Sequence, residues 1–300
     1  MTARLTERPI ADGRADFLWL DLTRKCQLSC THCFNDSGPD RDHGSMTLQG
    51  WEAVIDEGAQ AGTRKIQFFG GEATLYPGLG NPIGRALDAG LLVEVFTNLV
   101  SVPATLWEVF RRPNVTLATS YYSNQADEHN KVTNRPTHAR TRQNIITALS
   151  YGIGLRVGVI EAVSPEAAER ARQDLVQLGV KPERIKVDRV RAMGRGAADL
   201  GIPQARESAL CGRCADGKAA IGPDGTVTPC AMATWLNVGN VQDTPLRTIL
   251  TGDRMAAAKA VIPPRDVRAC ADDDDNGGDD GGDDDECSPG FPGSSCTPRT

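Results

Sequence analysis

The 300-residue chain has no apolar run approaching the ~20 residues a membrane-spanning helix needs, so no membrane association is expected. Met1 to Ile10 is polar and charged and lacks the apolar segment of a secretory signal. No lysine or arginine run is present of the kind that follows a nucleic-acid backbone, and nucleic acid is not an indicated partner. A cytoplasmic location is the expectation, and thiols stay reduced there. The nine cysteines therefore argue for metal ligation rather than a disulfide framework. Hydrophobic content of 40% and charged content of 24% are those of an ordinary globular protein. The length suffices for one large domain and a small one. The formal charge of −6 misleads, because residues 272–286 contain ten acidic side chains and no basic one. Without that segment the chain carries +4.

What is present is Cys26-Gln-Leu-Ser-Cys30-Thr-His-Cys33. Thiolates favour iron–sulfur clusters, zinc or copper(I). Four cysteines would close such a site, whereas three leave a position open, as a catalytic metal requires. The preceding Phe17–Leu22 reads as a strand, which puts the cysteines on a loop at its carboxyl end. A zinc knuckle that adds His32 is disfavoured, because His32 adjoins Cys33 and two neighbours are awkward ligands for one tetrahedron.

Further along, Thr47 can cap a helix to about Ala61, with Leu48, Trp51, Val54 and Ile55 as its apolar stripe. Strands are expected at 65–69, 92–96, 115–119, 155–160 and 184–188. Helices are expected near 83–89, from Pro103 to 111, over 141–151, and from the Ser164-Pro165 pair to Gly179. Six strand–helix alternations imply a parallel sheet with crossover helices. A partial six-stranded barrel fits the length better than an eight-stranded one. The alternation alone does not separate it from an open doubly wound sheet. The strand ends carry the cysteines, Gly70-Gly71-Glu72, Thr97-Asn98, Ser120-Tyr121, Glu161 and Arg191, all on the rim where α/β folds gather ligands. Gly70 and Gly71 would let backbone approach a ligand closely, and Glu72 could accept hydrogen bonds from an ammonium group. Gly-Gly is also a common turn. Trp51, Trp107 and Phe68-Phe69 read as core.

The cysteine spacing together with Gly70-Gly71-Glu72 resembles the radical S-adenosylmethionine (SAM) enzymes. The resemblance implies a partial (β/α)6 TIM-like barrel, an α/β fold, over residues 17–195, after an arm at 1–16. It implies a [4Fe-4S] cluster on Cys26, Cys30 and Cys33, with SAM on the remaining iron. It places His32, Gly70, Gly71, Glu72, Asn98 and Ser120 among the cofactor-binding residues, with Glu161 and Arg191 as weaker candidates.

After Met193-Gly-Arg-Gly196 the composition shifts. Cys211-Gly-Arg-Cys214 precedes Ala219–Cys230, a short hairpin with Pro-Asp-Gly as its turn. A zinc ribbon on Cys211/Cys214 and a later pair is one reading. The spacing of cysteine, ten residues, glycine, four residues and cysteine resembles the opening of the SPASM/twitch extension of radical SAM maturases. That implies a small C-terminal cysteine-rich region, 196–300, with an auxiliary [4Fe-4S] cluster. Val238-Gly-Asn240 and a helix near 246–250 fit it too. The chain departs from the full pattern next: its remaining cysteines, Cys270, Cys287 and Cys296, are widely spaced. One auxiliary cluster is expected on Cys214, Cys230 and two others, with Cys211, Cys270, Cys287 and Cys296 as candidates. The insert 271–286 is acidic, of low complexity, and expected to be disordered. Asp272, Asp274, Asn276, Gly277 and Asp283 match calcium-loop offsets, but position twelve is Asp and no amphipathic helices flank the run. An electrostatic clamp for a basic peptide segment is an alternative role.

The implied chemistry is reductive SAM cleavage, giving a 5′-deoxyadenosyl radical that abstracts a substrate hydrogen. The expected substrate is a ribosomally synthesised precursor peptide. The alternative is dehydrogenation of a small molecule such as an amino sugar. A non-enzymatic electron carrier is disfavoured by the open three-cysteine motif and Gly70-Gly71-Glu72. An external donor such as flavodoxin or ferredoxin is implied. About sixteen residues precede the first strand, so leader binding is expected to need a separate protein or the acidic insert. No Rossmann-like domain precedes the barrel, and cobalamin is not suggested.

Overall fold

The computed structural model describes residues 15–201, 203 and 210–262. Six parallel strands run in chain order: β1 (Phe17–Asp21), β2 (Lys65–Phe69), β3 (Leu92–Phe96), β4 (Val115–Tyr121), β5 (Gly154–Glu161) and β6 (Ile185–Arg189). Their spatial order is β6-β5-β4-β3-β2-β1. A doubly wound sheet reverses direction at a switch point. Here each strand adds on the same side of the last, and right-handed crossovers then put every helix on one face. That is how a barrel winds, and β6 does not pair with β1, so the barrel is open. The alternative left by the strand–helix alternation is thereby settled.

The crossover helices are α1 (Leu48–Gln60), α2 (Gly80–Asp88), α3 (Ala104–Phe110), α4 (Ala126–Thr133), α5 (His138–Ser150) and α6 (Pro165–Gln177). Thr47 caps α1 by accepting from the Gly50 amide at 3.0 Å. Ser164 caps α6 through the Ala167 amide at 3.2 Å, with Pro165 in the first turn. Both caps satisfy donors that a helix start leaves orphaned. α4 was not expected from sequence. Its eight residues, ADEHNKVT, bury only His129, Val132 and Thr133, too few apolar positions to show a helical period.

β1 is buried on both faces, as a strand covered by helices outside and side chains inside must be. Side chains alternate: Leu18, Leu20 and Leu22 pack under the helices, whereas Phe17 and Trp19 join an interior cluster with Phe69, Cys214 and Cys230. At mid-height Arg156 of β5 makes a bidentate pair with Glu94 of β3, at 2.9 and 2.8 Å, and Gln67 of β2 donates to the same carboxylate. Burial alone would raise the Glu94 pKa. Arg156 and Lys65 outweigh it and hold the carboxyl at about 2.

Beyond α7 (Arg195–Asp199), the expected hairpin forms as β7 (Lys218–Ile221) and β8 (Thr226–Thr228). Its placement was not legible: β7 pairs in parallel with β1, Trp19 opposite Ala220. With β9 (Gly239–Asn240) it extends the barrel sheet to nine strands. Helices α8 (Leu246–Thr251) and α9 (Asp253–Val261) follow. Among the described residues no helix is long and apolar enough to cross a membrane. Cys270, Cys287, Cys296 and the 271–286 insert lie outside the described residues.

Candidate active site

The loop after β1 is held open by its own backbone. Cys26 N–H donates to the Gly38 carbonyl at 3.0 Å, and Gly38 N–H donates back to the Arg24 carbonyl at 3.2 Å. Cys26, Cys30 and Cys33 thereby face one cavity of about 180 Å³ at the carboxyl ends of the strands. His32, Gly70, Gly71, Asn98, Ser120 and Arg191 also line it. So do Cys211, Cys214 and Cys230, from the segment around β7 and β8. Two thiol triads more than 170 residues apart in the chain share one chamber.

All six of these cysteines are free thiols. Burial, then the carboxylate of Glu72, pushes the Cys26 pKa far up. Burial and the neighbouring Cys33 push Cys30 up to about 12. Cys214 is driven strongly upward by its hydrogen bonds to Cys211 and Cys230, and by burial. Thiols so placed ionise only when positive charge enters beside them, and bound iron supplies it. Among the described residues no three His, Cys, Asp or Glu side chains are drawn together around a single ion. A four-iron cluster is a larger object, and three thiolates on separate irons would hold it and leave the fourth iron open. Both triads fit such a cluster. Burial lowers His32 to about 4 and keeps it neutral. Its Nδ1 is buried without a hydrogen-bond partner among the described residues, and its ring stands edge-on to Tyr122 at 5.0 Å.

Gly-Gly-Glu is built differently from the sequence expectation. A Cβ on Gly70 would lie 2.6 Å from the Thr23 carbonyl, and one on Gly71 would collide with the Lys25 carbonyl. Gly71 N–H donates to the Thr23 carbonyl at 2.6 Å and Glu72 N–H to that of Lys25 at 2.9 Å. The space the glycines leave open is filled by the stem of the cysteine loop. Glu72, 1% exposed, does not line the cavity. Its Oε1 accepts from the Thr74 amide (2.9 Å), the Thr74 hydroxyl (2.7 Å) and the Thr97 hydroxyl (2.7 Å). Its Oε2 accepts from the Asn98 amide at 2.7 Å. Glu72 is a buckle between the ends of β2 and β3.

Asn98 reaches the cysteine loop: its Oδ1 accepts from Gln27 at 3.1 Å and its Nδ2 lies 3.8 Å from the Cys26 sulfur. Ser120 meets the Tyr122 hydroxyl, which also reaches Cys30. Glu161 and Tyr121 are not in the cavity wall. Tyr121 points outward to His138 (2.8 Å) and Asp174 (3.0 Å). Phe69, read as core, lines the chamber. Tyr122, Phe34, Arg195 and Met232 also line it and were missed. Tyr122 carried a signal, because period two along β4 points Ser120 and Tyr122 to the same side.

A rim cavity walled by thiols in an open parallel barrel defines an α/β barrel protein with a soft-metal site at the carboxyl ends of its strands. Residues 20–175 match the Radical SAM superfamily, and residues 211–273 match the SPASM iron–sulfur cluster-binding domain. The first match spans more than half of the chain, and the chain belongs to the radical SAM superfamily. Membership brings a [4Fe-4S] cluster and SAM as cofactors, and the SPASM match brings iron–sulfur binding to the C-terminal region. A PqqA peptide cyclase of Bradyrhizobium diazoefficiens is 33% identical over 81 residues, 27% of this chain and 21% of that protein. One of Streptomyces rochei is 28% identical over 94 residues, 31% of this chain and 26% of that protein. These matches span about a fifth to a quarter of the relatives' lengths. SuiB of Streptococcus suis, solved with its precursor peptide SuiA, superposes with a TM-score of 0.67 at 14% identity. The alignment covers 82% of this chain and 66% of SuiB, and the likeness is one of fold.

Proposed function

We propose that the chain is a radical SAM enzyme that matures a ribosomally synthesised peptide by abstracting hydrogen from it. Cys26, Cys30 and Cys33 would hold the SAM-binding cluster, and Cys211, Cys214 and Cys230 would contribute to an auxiliary cluster. Bound there, cluster and SAM supply reductive cleavage of a carbon–sulfur bond and a hydrogen-abstracting radical. The observation that carries the reading is the single chamber walled by both triads, which would place a substrate between the site of hydrogen abstraction and an electron acceptor. Asn98, Ser120 and the backbone at Gly70-Gly71 are the wall that would orient SAM. His32, Phe69 and Phe96, which line the chamber too, would limit water beside it. The peptide class is supported by the PqqA peptide cyclases and by the complex of SuiB with its precursor peptide SuiA. The reading implies a reducing compartment such as the cytoplasm and a low-potential electron donor of the flavodoxin or ferredoxin type.

The test is co-expression with each short peptide encoded beside this gene, followed by mass spectrometry. A peptide that loses two hydrogens, and keeps them when Cys26, Cys30 and Cys33 are replaced by Ala, is the expected result. Unchanged peptides, with 5′-deoxyadenosine formed only when an amino sugar is supplied, would replace this reading with small-molecule dehydrogenation.

A further inference from the structure

The segment Met193-Gly-Arg-Gly196 was notable in sequence only as the start of a composition shift. In the structure it lies against the cysteine loop. The Arg195 guanidinium donates from Nε to the Cys30 carbonyl (2.9 Å), from Nη1 to Asp36 Oδ1 (2.9 Å) and from Nη2 to the Ser37 carbonyl (2.7 Å). Its own amide donates to the Cys33 carbonyl at 2.9 Å. Gly194 makes that approach possible. At φ +53° a Cβ would be strained, and it would lie 2.5 Å from the carbonyl oxygens of Cys33 and Phe34.

Four hydrogen bonds from one residue therefore fix both ends of the Cys30–Ser37 stretch, which contains two of the three thiols. The donors diverge from a rigid plane, a fork that a lysine ammonium cannot reproduce. Main-chain carbonyls of Cys30 and Cys33 have few other donors to turn to. Cys30 itself also meets Tyr122 and accepts from the Cys33 amide at 3.4 Å, while the amides of its neighbours Ser29 and Thr31 donate to the carbonyls of Thr133 and Val132 at 3.3 and 3.0 Å. We propose that Arg195 is a positioning residue that clasps the cysteine loop in its cluster-receptive shape. It ties the loop to the segment after β6, the same segment whose Val190 and Arg191 line the chamber. The inference stands on the cysteine loop alone and is indifferent to whether the substrate is a peptide.

The test compares parental protein with Arg195→Ala and Arg195→Lys. Amide hydrogen exchange is read by mass spectrometry on the apo chain, and the reduced-cluster EPR spectrum is read with and without SAM on the anaerobically reconstituted chain. The expected result is exchange at least about tenfold faster in peptides spanning 28–38, since each lost hydrogen bond is worth roughly that factor. Peptides from β2 to β5 stay at parental rates, and the SAM-induced spectral change is lost or weakened. Arg195→Lys is expected to follow Arg195→Ala, because it keeps the charge and loses the fork. Parental exchange in the loop of Arg195→Ala would overturn the proposal. So would full restoration by lysine, which would reduce the role to charge, or equal acceleration across the barrel, which would make Arg195 a general stabiliser.

Discussion

His129 shows how much a single buried ring can decide. It is 1% exposed, enclosed by the rings of Tyr121, Tyr122 and His138 at 5.2–5.3 Å, and its Nδ1 has no partner among the described residues. Burial, then the proximity of His138, lowers its pKa to about 3. A base whose folded pKa is depressed contributes stability that is present above its unfolded pKa, about 6.5. That stability is lost as pH falls from there towards 3. Between pH 6 and 4 the slope from this one group approaches roughly 1.4 kcal/mol per pH unit. The melting temperature of a His129→Phe variant is therefore expected to fall less steeply over that range than that of the parent. Parallel curves in a thermal scan would show that His129 titrates normally. Glu72 is the matching case for an acceptor. Glu72→Gln places an amide N–H₂ against donors from Thr74, Thr97 or Asn98, leaving at least one unpaired in the interior. A cost of about 1–3 kcal/mol follows, seen as several degrees in melting temperature, with the cavity wall itself unaltered.

At the scale of elements, strands and cysteine spacing were legible because both are local. A run such as Phe17–Leu22 announces a strand without help from the rest of the chain, and Thr47 announces a helix start in the same way. What a side chain faces is settled by neighbours distant in sequence. Gly70-Gly71-Glu72 was read correctly as lying at the end of β2 beside the cysteines, yet its glycines accommodate Thr23–Lys25 and its carboxylate turns to β3. Arg195 escaped for the same reason, since the Cys30 it holds is 165 positions away. α4 escaped because its buried face is largely polar. The packing of Gly71 makes a specific prediction: Gly71→Ala forces its new methyl into the Lys25 carbonyl and pushes the stem of the cysteine loop outward. Overpacking of this kind costs about 1–3 kcal/mol. More tellingly, the variant should lose about four irons per chain, the content of one [4Fe-4S] cluster. Iron and sulfide assays after anaerobic reconstitution check it, and full iron retention would show that the loop tolerates the shift.

Across the whole molecule the two triads hang from different supports while sharing one space. The first is carried by the β1 loop, braced by β2, β3 and Arg195. The second is carried by the segments flanking β7 and β8, with Cys214 and Cys230 packed against Phe17, Trp19 and Phe69. Cysteine spacing identifies each triad separately. That β7 docks beside β1, and so turns the second triad towards the first, follows from strand pairing that no local pattern encodes. Separate supports with a common chamber predict separable chemistry. Cys214→Ala/Cys230→Ala replaces two buried thiols by small apolar groups in an apolar cluster, so the barrel and the first triad should persist. Iron should drop from about eight to about four per chain, and on the proposed function SAM cleavage to 5′-deoxyadenosine continues while peptide product disappears. If cleavage disappears with the product, the second triad is needed to build the first site. If product survives, the electron leaves the substrate by another route, and the chamber between the triads is not where that transfer takes place.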